Sequence, residues 1–467
     1  MLTFFLDKQS ELSLYEQLYM QIKLAIEEGK LKKNEKLPSK RKLANHLKIS
    51  QTTIESAYAQ LLAEGYILAK PKVGFFVTLD LDSLYKNTKE PSISLNTKKE
   101  VEYKIDFKTN QIDSLNFPYE KFARIERDIV LDKLKNNINR GDIFGVYEFR
   151  QRISEILFAY RGIKALPEQI IVGSGSEHLI LLLVLLLGRD KVYAVEDPSY
   201  IKNFQLYNAY GVKVKPLSLD EEGIDIDLLK TEKCDIVHTT PSHQFPKGIV
   251  TPVKRRLELL RWASEKESRY IIEDDYDSEF RFSGNPIPAM KGMDKFDKVI
   301  YMNSFSKSLA PSFRISFMVL PEKLINDYRE KLSFFSSSVP TSNQLILERF
   351  IASGEFEKHL NRMKNNYKQK RDYLISLINN SFLKDKLKVY GEEAGLHFLV
   401  NVMTDRSEEY LVEKAKEQGI RVYGLSEYYI KKNDNLAQKT IVFGYSNLDF
   451  KKLEIGVKLL ETAWKNI

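Results

Sequence analysis

The residues around Lys307 are the clearest candidates for chemistry in this 467-residue sequence. The segment KVIYMNSFSKSLAPSFRIS reads as a strand that ends near Asn303, and Ser304, Ser306, Lys307 and Arg314 follow it. A lysine close to hydroxyls and an arginine is a candidate for Schiff-base chemistry beside a bound phosphate. Most loop lysines are only solvated, so this prediction depends on partners elsewhere in the chain.

One such partner is an acidic group 33 residues before Lys307. The apolar strand Tyr270–Ile272 leads directly into Glu273, Asp274 and Asp275. In open α/β sheets ligands bind at the carboxyl ends of the strands, which is where these acids would lie. Spacing alone leaves Asp274 as a metal ligand, a solvated loop residue or the partner of a protonated ring nitrogen.

Two further segments end at the same predicted edge. In QIIVGSGSEHLILLLVLLLG, small residues up to Ser176 separate a strand from a helix, a place where backbone amides and the helix dipole favour an anion. The segment lacks the P-loop and dinucleotide-binding patterns, and alone it is best read as an ordinary turn. In IVHTTPSHQFPKG a strand precedes His243 and Gln244. His243 could contact a ligand, although most loop histidines have no role.

These segments belong to the last of three zones along the chain. Residues 1–78 carry short helical patterns and a hairpin, residues 79–105 are polar and read as a linker, and strands alternate with helices over residues 106–467. That alternation predicts an α/β fold around a mostly parallel sheet. The sequence therefore predicts two domains joined by a linker.

The N-terminal zone has the order of a DNA-binding module. Apolar residues from Leu14 to Ile26 lie on one helical face, Ser39 and Ser50 are placed to cap two further helices, and YILAKPKVGFFV reads as a basic hairpin. A helix-turn-helix followed by such a wing would meet base edges and phosphates. The predicted contacts are Ser39, Lys40, Arg41, Gln51, Thr52, Thr53, Ser56, Lys70 and Lys72. The alternative is a three-helix interaction domain whose lysines are solvated.

Composition narrows the functional classes. The formal charge of +8 permits nucleic-acid binding without requiring it. The single cysteine, Cys234, excludes an internal disulfide framework and a cysteine-rich zinc site, and no metal site is predicted. The longest apolar run, Leu179 to Leu187, has nine residues, whereas a membrane span needs roughly 20. The N-terminus does not read as a signal peptide, so we expect a soluble cytoplasmic protein without a membrane partner.

The stretch LPSKRKLANHLKISQTTIESAYAQLLAEGYILAKPKVGFFV resembles the winged helix of the GntR family from end to end. That family usually has an arginine ahead of the recognition-helix threonines, where this sequence has Gln51. A contact common in the family is therefore missing or replaced, and the target sequence cannot be carried over.

The C-terminal segments together resemble the fold-type I aminotransferases, and more closely the MocR/GabR branch of GntR regulators, in which such a domain follows a winged helix. The resemblance covers nearly the whole chain, with RYIIEDDYDSEFRF, SFSKSLAPSFRIS and TPSHQFPKG among the close matches. It implies that Lys307 forms the internal aldimine with pyridoxal 5'-phosphate, that Asp274 pairs with the pyridine nitrogen, that Tyr276 contacts the ring hydroxyl and that Tyr200 stacks on the ring. The implied phosphate ligands are the backbone of Ser176 and Glu177, with Ser304, Ser306 and Arg314.

Two features depart from the aminotransferase pattern. Phe245-Pro246-Lys247-Gly248 replaces the usual Asn-Pro-x-Gly element, so His243 or Gln244 could take over a ring contact. The arginine that holds a substrate carboxylate on a late strand is missing, since Val442 stands at its place, and Arg421 is a weak substitute. The resemblance therefore does not imply productive binding of an amino acid.

The leading hypothesis is a homodimeric, ligand-responsive transcription regulator that binds double-stranded DNA and uses its aminotransferase-like domain for sensing rather than turnover. Within the branch, the HQFP loop and the DDYDSEFR run look most like regulators of vitamin B6 synthesis, which respond to pyridoxal phosphate itself. The alternatives are a GabR-like sensor of an amine or amino acid through an external aldimine, an active aminotransferase with a DNA-binding domain, and a DNA-binding module with a purely structural domain.

Overall fold

The computed structural model describes residues 4–10, 12–79, 102–109, 111–132, 141–282, 287–431 and 439–467. The chain divides into two compact units, Met1–Glu100 and Val101–Ile467. Most of the predicted linker, residues 80–101, lies outside the described residues. Its last residues belong to the second unit, because the Lys104 amide donates to the Gly419 carbonyl (2.8 Å).

The first unit contains three helices and a two-stranded antiparallel hairpin. The elements are α1 (Leu14–Glu27), α2 (Lys40–Leu47), α3 (Gln51–Ala63), β1 (Ile67–Lys70) and β2 (Gly74–Val77). Serine caps fix the start of the second and third helices: Ser39 Oγ accepts from the Lys42 amide (3.3 Å) and Ser50 Oγ from the Thr53 amide (3.1 Å). Such caps satisfy amides that have no partner within the helix.

The core of this unit forms where the apolar faces of the helices meet. It is made of Leu18, Ile22, Ile26, Leu31, Leu37, Leu43, Ala44, Ile54, Ala57, Tyr58, Leu61, Ile67 and Val77. The Tyr58 ring packs edge-on against Phe75 of the hairpin, and its hydroxyl donates to the Pro38 carbonyl (3.0 Å). These contacts hold α2, α3 and the wing together, so that the polar face of α3 stays outside.

The second unit is built on an eight-stranded sheet with the strand order β4-β11-β10-β9-β8-β5-β6-β7. Its strands are β4 (Ile170–Gly173), β5 (Val192–Asp197), β6 (Lys213–Asp220), β7 (Gly223–Ile224), β8 (Ile236–Thr239), β9 (Tyr270–Asp275), β10 (Val299–Ser304) and β11 (Ser316–Val319). The five central strands β10, β9, β8, β5 and β6 are parallel, and β11 and β7 run antiparallel to them. The edge strand β4 pairs antiparallel with β11 and so runs in the same direction as the central five. This confirms the predicted α/β fold.

Smaller sheets and thirteen helices complete the described part of this unit. A four-stranded antiparallel sheet contains β12 (Leu387–Tyr390), β13 (His397–Val402), β15 (Tyr423–Gly424) and β16 (Thr440–Gly444), and β3 (Ile105–Asp106) pairs with β14 (Ile420–Arg421). The helices are α4 (Tyr119–Asp132), α5 (Tyr147–Arg161), α6 (Ser176–Leu187), α7 (Ile201–Ala209), α8 (Ile226–Thr231), α9 (Val253–Ser264), α10 (Met290–Met293), α11 (Phe305–Ser308), α12 (Lys323–Leu332), α13 (Thr341–Ala352), α14 (Glu355–Asn380), α15 (Glu408–Glu417) and α16 (Phe450–Ala463).

Strands β5, β8, β9 and β10 are buried along most of their length, as expected for a parallel sheet covered by helices on both faces. Because β8, β9 and β10 are parallel neighbours, the residues that end them lie along one edge. Asp274 near the end of β9 and Ser304 at the end of β10 therefore lie at the same edge, although 29 other residues separate them in the sequence.

Candidate functional site

The carboxyl edge of the sheet borders a cavity of about 220 Å³ that contains the side chain of Lys307; we call it the Lys307 cavity. It is lined by Ser176, Val195, Glu196, Ser199, Tyr200, Asn203, His238, Thr240, Phe245, Asp274, Tyr276, Ser304, Ser306, Lys307, Pro311 and Arg314. Lys307 comes from the short helix α11, which begins directly after β10. Desolvation lowers the pKa of Lys307 to about 7, against the opposing charge of Asp277, so much of the amine is neutral and nucleophilic near pH 7.

Asp274 is held at the cavity wall by a chain of buried side chains. Its Oδ2 lies 3.2 Å from His238 Nε2, and His238 Nδ1 lies 2.9 Å from the hydroxyl of Tyr207. His238 and Tyr207 are both buried, whereas part of Asp274 is exposed toward the cavity. The carboxylate is thus fixed in orientation while one side remains open to a ligand.

Sequence reasoning missed His238. The available signal was a histidine within the apolar strand IVHTT, where a polar residue must find a partner once buried. Identifying that partner as Asp274 required the pairing of β8 with β9, which aligns His238 with Ile272.

Another end of the cavity gathers hydroxyls and a guanidinium. Ser176, Ser304, Ser306 and Arg314 all line it, and the Ser304 hydroxyl donates to Ser306 Oγ (2.7 Å). Arg314 approaches the turn before α6 closely, since a Cβ added at Gly175 would lie 2.5 Å from Arg314 Nη2. Gly175 also has a φ of +88°, so both its backbone conformation and its surroundings require glycine. A guanidinium, hydroxyls and a helix N-terminus form a donor set that suits a phosphate.

The Glu177 carboxylate accepts hydrogen bonds from the arginine of this donor set and from a neighbouring lysine. Its Oε2 lies 2.5 Å from Arg314 Nη2, and its Oε1 contacts the ammonium of Lys202. The hydrogen bond from Lys202, together with the charge of Arg314, lowers the pKa of Glu177 despite partial burial. Glu177 is therefore ionised at neutral pH and is paired with the arginine that sequence analysis assigned to a phosphate.

The aromatic residues predicted to contact the ring lie at the cavity, whereas His243 lies behind it. Tyr200 and Tyr276 both line the cavity. The Tyr276 hydroxyl lies 3.0 Å from His243 Nδ1, and the same nitrogen lies 3.0 Å from Asp277 Oδ2. His243 is 3% exposed and is not among the lining residues, so its contact with the cavity runs through Tyr276. Gln244 is also buried, and its amide donates to the Pro198 carbonyl (2.9 Å).

The predicted DNA contacts lie on the outer face of the first unit. Ser39, Arg41, Gln51, Thr52, Ser56, Lys70 and Lys72 are exposed, and Lys40 and Thr53 are partly exposed. Glu55 is not among the predicted contacts, but it accepts hydrogen bonds from two of them, Gln51 Nε2 and Lys40 Nζ (3.3 Å each). Lys72 has a φ of +60° at the hairpin turn, and Lys70 lies over the Phe76 ring. The wing lysines therefore extend from a fixed turn.

Family comparisons match both units. Residues 14–77 match the model for bacterial regulatory proteins of the gntR family, and residues 102–436 match the model for aminotransferase class I and II. The uncharacterized HTH-type transcriptional regulator YdeL of Bacillus subtilis is 38% identical over 99% of both chains. The probable rhizopine catabolism regulatory protein MocR of Rhizobium meliloti is 29% identical over 98% of this chain and 95% of its own. The chain is a MocR-type regulator of the GntR family.

Two further comparisons describe the range of this likeness. The pyridoxine biosynthesis regulator PdxR of Corynebacterium glutamicum is 25% identical to this MocR-type regulator over 95% of this chain and 94% of its own. Among solved structures, a kynurenine aminotransferase of Pyrococcus horikoshii superposes with a TM-score of 0.68 at 24% identity, covering 82% of this chain and 98% of that one. The structural likeness confirms the fold-type I architecture of the second unit.

The positions considered for a substrate-carboxylate anchor lie away from the Lys307 cavity of this MocR-type regulator. Val442, on β16, is buried in an apolar cluster with Leu399 and Tyr423. Arg421 is exposed and stacks over the rings of Tyr103 and Tyr423. Among the described residues that line the cavity, Arg314 supplies the only guanidinium.

Two further features are absent from the described residues, a metal-binding cluster and a membrane-spanning helix. No cluster of three or more His, Cys, Asp or Glu side chains suited to a metal ion is present among them. None of the helices in the described part of the chain is long and apolar enough to cross a membrane.

Proposed function

We propose that this DNA-binding regulator holds pyridoxal 5'-phosphate on Lys307 and uses the occupied domain as a sensor. The observation that carries the proposal is the placement of one amine, one carboxylate and one phosphate-type donor set around a single cavity, in a chain that also carries a winged helix. The relatives that match the full length are named as transcriptional regulators, which favours sensing over turnover. We place the protein in the cytoplasm, where its DNA target lies.

The cavity residues fit this cofactor. Lys307 has the lowered pKa that a Schiff-base lysine needs, and Asp274 offers a carboxylate fixed by His238 for the ring nitrogen. Tyr276 would meet the ring hydroxyl and Tyr200 the ring face, while Ser176, Ser304, Ser306 and Arg314 would hold the phosphate. When bound, the cofactor supplies an electron-withdrawing ring and an aldehyde that reacts with amines.

Sensing requires that the effector bind two states of the protein unequally. A ligand that stabilises one arrangement changes DNA affinity by its differential binding free energy and by no more. We further propose a homodimer that meets paired half-sites, as two-fold symmetric operators require. Light scattering of the purified protein, with and without operator DNA, tests the dimer.

We infer that the signal is pyridoxal phosphate itself, and that the regulated process is vitamin B6 synthesis. The support is the position of Val442 and Arg421, neither of which offers a carboxylate anchor at the Lys307 cavity. A full-length relative that regulates pyridoxine biosynthesis agrees with this inference, although its identity of 25% is lower than that of the MocR protein.

The second candidate is a sensor, or slow aminotransferase, for an amine or amino acid that reacts with the bound cofactor. It is favoured by the shared fold with enzymes such as the kynurenine aminotransferase. It is also favoured by the volume of the cavity, about 220 Å³, which leaves the Lys307 amine open to small molecules.

The deciding experiment records the visible spectrum of the purified protein while amines and amino acids are added, and follows operator binding by fluorescence anisotropy in parallel. A cofactor band unchanged by the whole panel, with DNA affinity that changes with added pyridoxal phosphate, supports the vitamin B6 proposal. A band that shifts with one amine, together with a change in DNA affinity, supports the second candidate. Absence of any band after cofactor addition contradicts the Lys307 assignment.

A further inference from the structure

A second cavity in the C-terminal unit lies behind the strand that precedes Lys307. It has a volume of about 110 Å³, which is several times the space that one water molecule needs. Its lining residues come from α5, from residues 278–281, from β10, the start of α11 and β11, and from α14. None of them lines the Lys307 cavity. We call it the Glu279 cavity.

Most of the wall of the Glu279 cavity is apolar. The apolar lining residues are Ile153, Ile156, Leu157, Phe305, Phe317, Phe356 and Leu360. Such a wall favours a branched aliphatic or aromatic group, because each apolar contact removes surface from water.

One end of the cavity carries a carboxyl group. Glu279 Oε1 accepts a hydrogen bond from Asn303 Nδ2 (3.3 Å), and the same nitrogen donates to the Tyr301 hydroxyl (3.1 Å). Burial, together with the charge of Asp275, raises the pKa of Glu279 to about 7. A cation placed beside this group would favour its ionised form and would gain a charge-assisted hydrogen bond.

Polar atoms without partners border the same cavity. Ser278 Oγ and Arg281 Nε are buried and have no hydrogen-bond partner among the described residues. Both residues line the Glu279 cavity. A buried donor without a partner is destabilising, so an acceptor from a ligand would be favoured there. The cavity thus combines an acceptor for a cation, donors for an anion and an apolar wall.

We propose that the Glu279 cavity is a second, non-covalent binding site for an apolar α-amino acid. The ammonium group would meet Glu279 and Asn303 Oδ1, the carboxylate would meet Arg281 and Ser278, and the side chain would pack against the apolar wall. This site does not depend on a bound cofactor.

Three short connections link this site to the Lys307 cavity. Asn303 and Phe305 line the Glu279 cavity, while Ser304 and Ser306, which alternate with them, line the Lys307 cavity. Arg161 Nε, at the wall, pairs with Asp275 (2.7 Å), the residue after Asp274. Arg161 Nη2 also donates to Ser242 Oγ (2.6 Å), next to His243.

These connections give a ligand in the Glu279 cavity contact with the segments that carry Lys307, Asp274 and His243. Suppose that the Lys307 cavity has two conformations and that the amino acid binds more tightly when one of them is present. The amino acid would then shift the population toward that conformation, by an amount set by the difference in its two affinities. The amino acid would act as an effector without reacting with the cofactor.

The test measures binding of L-leucine, L-valine and L-phenylalanine to the full-length protein freed of pyridoxal phosphate, by isothermal titration calorimetry. We expect saturable binding of at least one of them, with one site per chain. The matching amine and the matching carboxylic acid should each bind about tenfold more weakly or worse, since each loses one charged contact. These analogues probe the site without any change to the protein.

Variants then locate the site. Ile156→Trp, which fills the cavity from a partly exposed wall position, and Glu279→Gln should each weaken binding about tenfold or more. Lys307→Ala should not abolish binding, because Lys307 does not line the Glu279 cavity. Circular dichroism checks that each variant is folded.

Three results would overturn the proposal. The first is a lack of saturable binding of all three amino acids by the wild-type protein. The second is equal affinity for the amino acid and its two analogues. The third is binding that Lys307→Ala abolishes and Ile156→Trp leaves intact, which would place the amino acid in the Lys307 cavity. Because the protein carries no cofactor in this test, its failure is independent of the proposed cofactor function.

Discussion

The winged helix and the Lys307 cavity draw their predicted functional residues from the chain in different ways. The winged helix takes its predicted contacts from one continuous stretch, Ser39 to Lys72, and presents them on the outside of a small core. The cavity collects residues from separate segments between Ser176 and Arg314, which meet only because parallel strands end at one edge. The predicted contacts of the first region are mostly exposed side chains, whereas those of the second line a cavity.

Because of this difference, we expect substitutions in the two regions to weaken ligand binding to different extents. An exposed phosphate contact is one of several that share the binding free energy, so its loss weakens DNA binding gradually. The Lys307 amine has no substitute among the residues that line its cavity, and its pKa of about 7 arises from desolvation there. Loss of the Lys307 amine should therefore have a nearly all-or-none effect, whereas changes on the winged helix should be graded.

The largest expected effect is that of Lys307→Ala. Without the amine there is no covalent link to the cofactor, and we expect the visible absorption band to be lost completely. The control Lys458→Ala removes an exposed lysine of α16 and should keep the band. Binding of DNA without effector should persist in both variants, because the winged helix is unchanged. A variant Lys307→Ala with the normal band would contradict the site assignment.

The pH dependence of cofactor binding tests whether the pKa of Lys307 is lowered by desolvation. An amine reacts in its neutral form, and the lowered pKa of Lys307 makes that form abundant above about pH 7. The rate of band formation should rise about tenfold per pH unit below pH 7 and level off above it. Stopped-flow absorbance between pH 5.5 and pH 9 measures this profile. A rate that keeps rising to pH 9 would mean an ordinary, solvated lysine.

The core of the winged helix offers a change of intermediate size. Ile54 is completely buried in α3, and Ile54→Ala should cost about 2–5 kcal/mol of the stability of the first unit. We expect weaker operator binding and an earlier unfolding transition, with an unchanged cofactor band. Chemical denaturation, monitored by circular dichroism and by visible absorbance, distinguishes the unfolding transitions of the two units. Loss of the band in parallel with the first transition would show that the two regions unfold together.

The two regions also differ in how far the sequence could predict them. The helices, caps and hairpin of the winged helix can be predicted from the sequence, because capping residues, apolar spacing and turn residues are all local signals. In the second unit, sequence patterns indicated the sheet edge and the separate segments near Lys307 and Asp274. They could not indicate that His238 supports Asp274, since that contact depends on which strands are neighbours. The position of His243 behind Tyr276 likewise follows from packing.

A smaller effect is expected on the DNA-binding face. Lys72→Ala removes one exposed charge at the turn of the wing. Operator affinity should fall a few-fold, and the slope of log affinity against log salt should decrease by about one. Fluorescence anisotropy at several salt concentrations measures both. Lys458→Ala again serves as the control, and an unchanged slope would show that Lys72 makes no phosphate contact.

Glu177 tests whether a change near the Lys307 cavity can have a graded effect. Its substitution removes a charge beside Arg314 and leaves the Lys307 amine intact. Its carboxylate lies 2.5 Å from Arg314 Nη2, and it also contacts Lys202. A phosphate that approaches Arg314 must compete with this carboxylate. Glu177→Gln keeps the shape of the side chain and removes the charge, so we expect pyridoxal phosphate to bind about three- to tenfold more tightly.

Inorganic phosphate separates this effect from the Lys307 chemistry, because it competes for the phosphate position without reacting with the amine. In the Lys307→Ala background, Glu177→Gln should increase the affinity for phosphate by the same factor. Glu330→Gln, an exposed change on α12, is the matched control and should have no effect. Weaker phosphate binding in Glu177→Gln would mean that the carboxylate positions Arg314 for the phosphate rather than competing with it. Whether phosphate binding becomes stronger or weaker, a change of only a few-fold would show that the phosphate contacts respond gradually. Only the covalent bond to Lys307 would then be all-or-none.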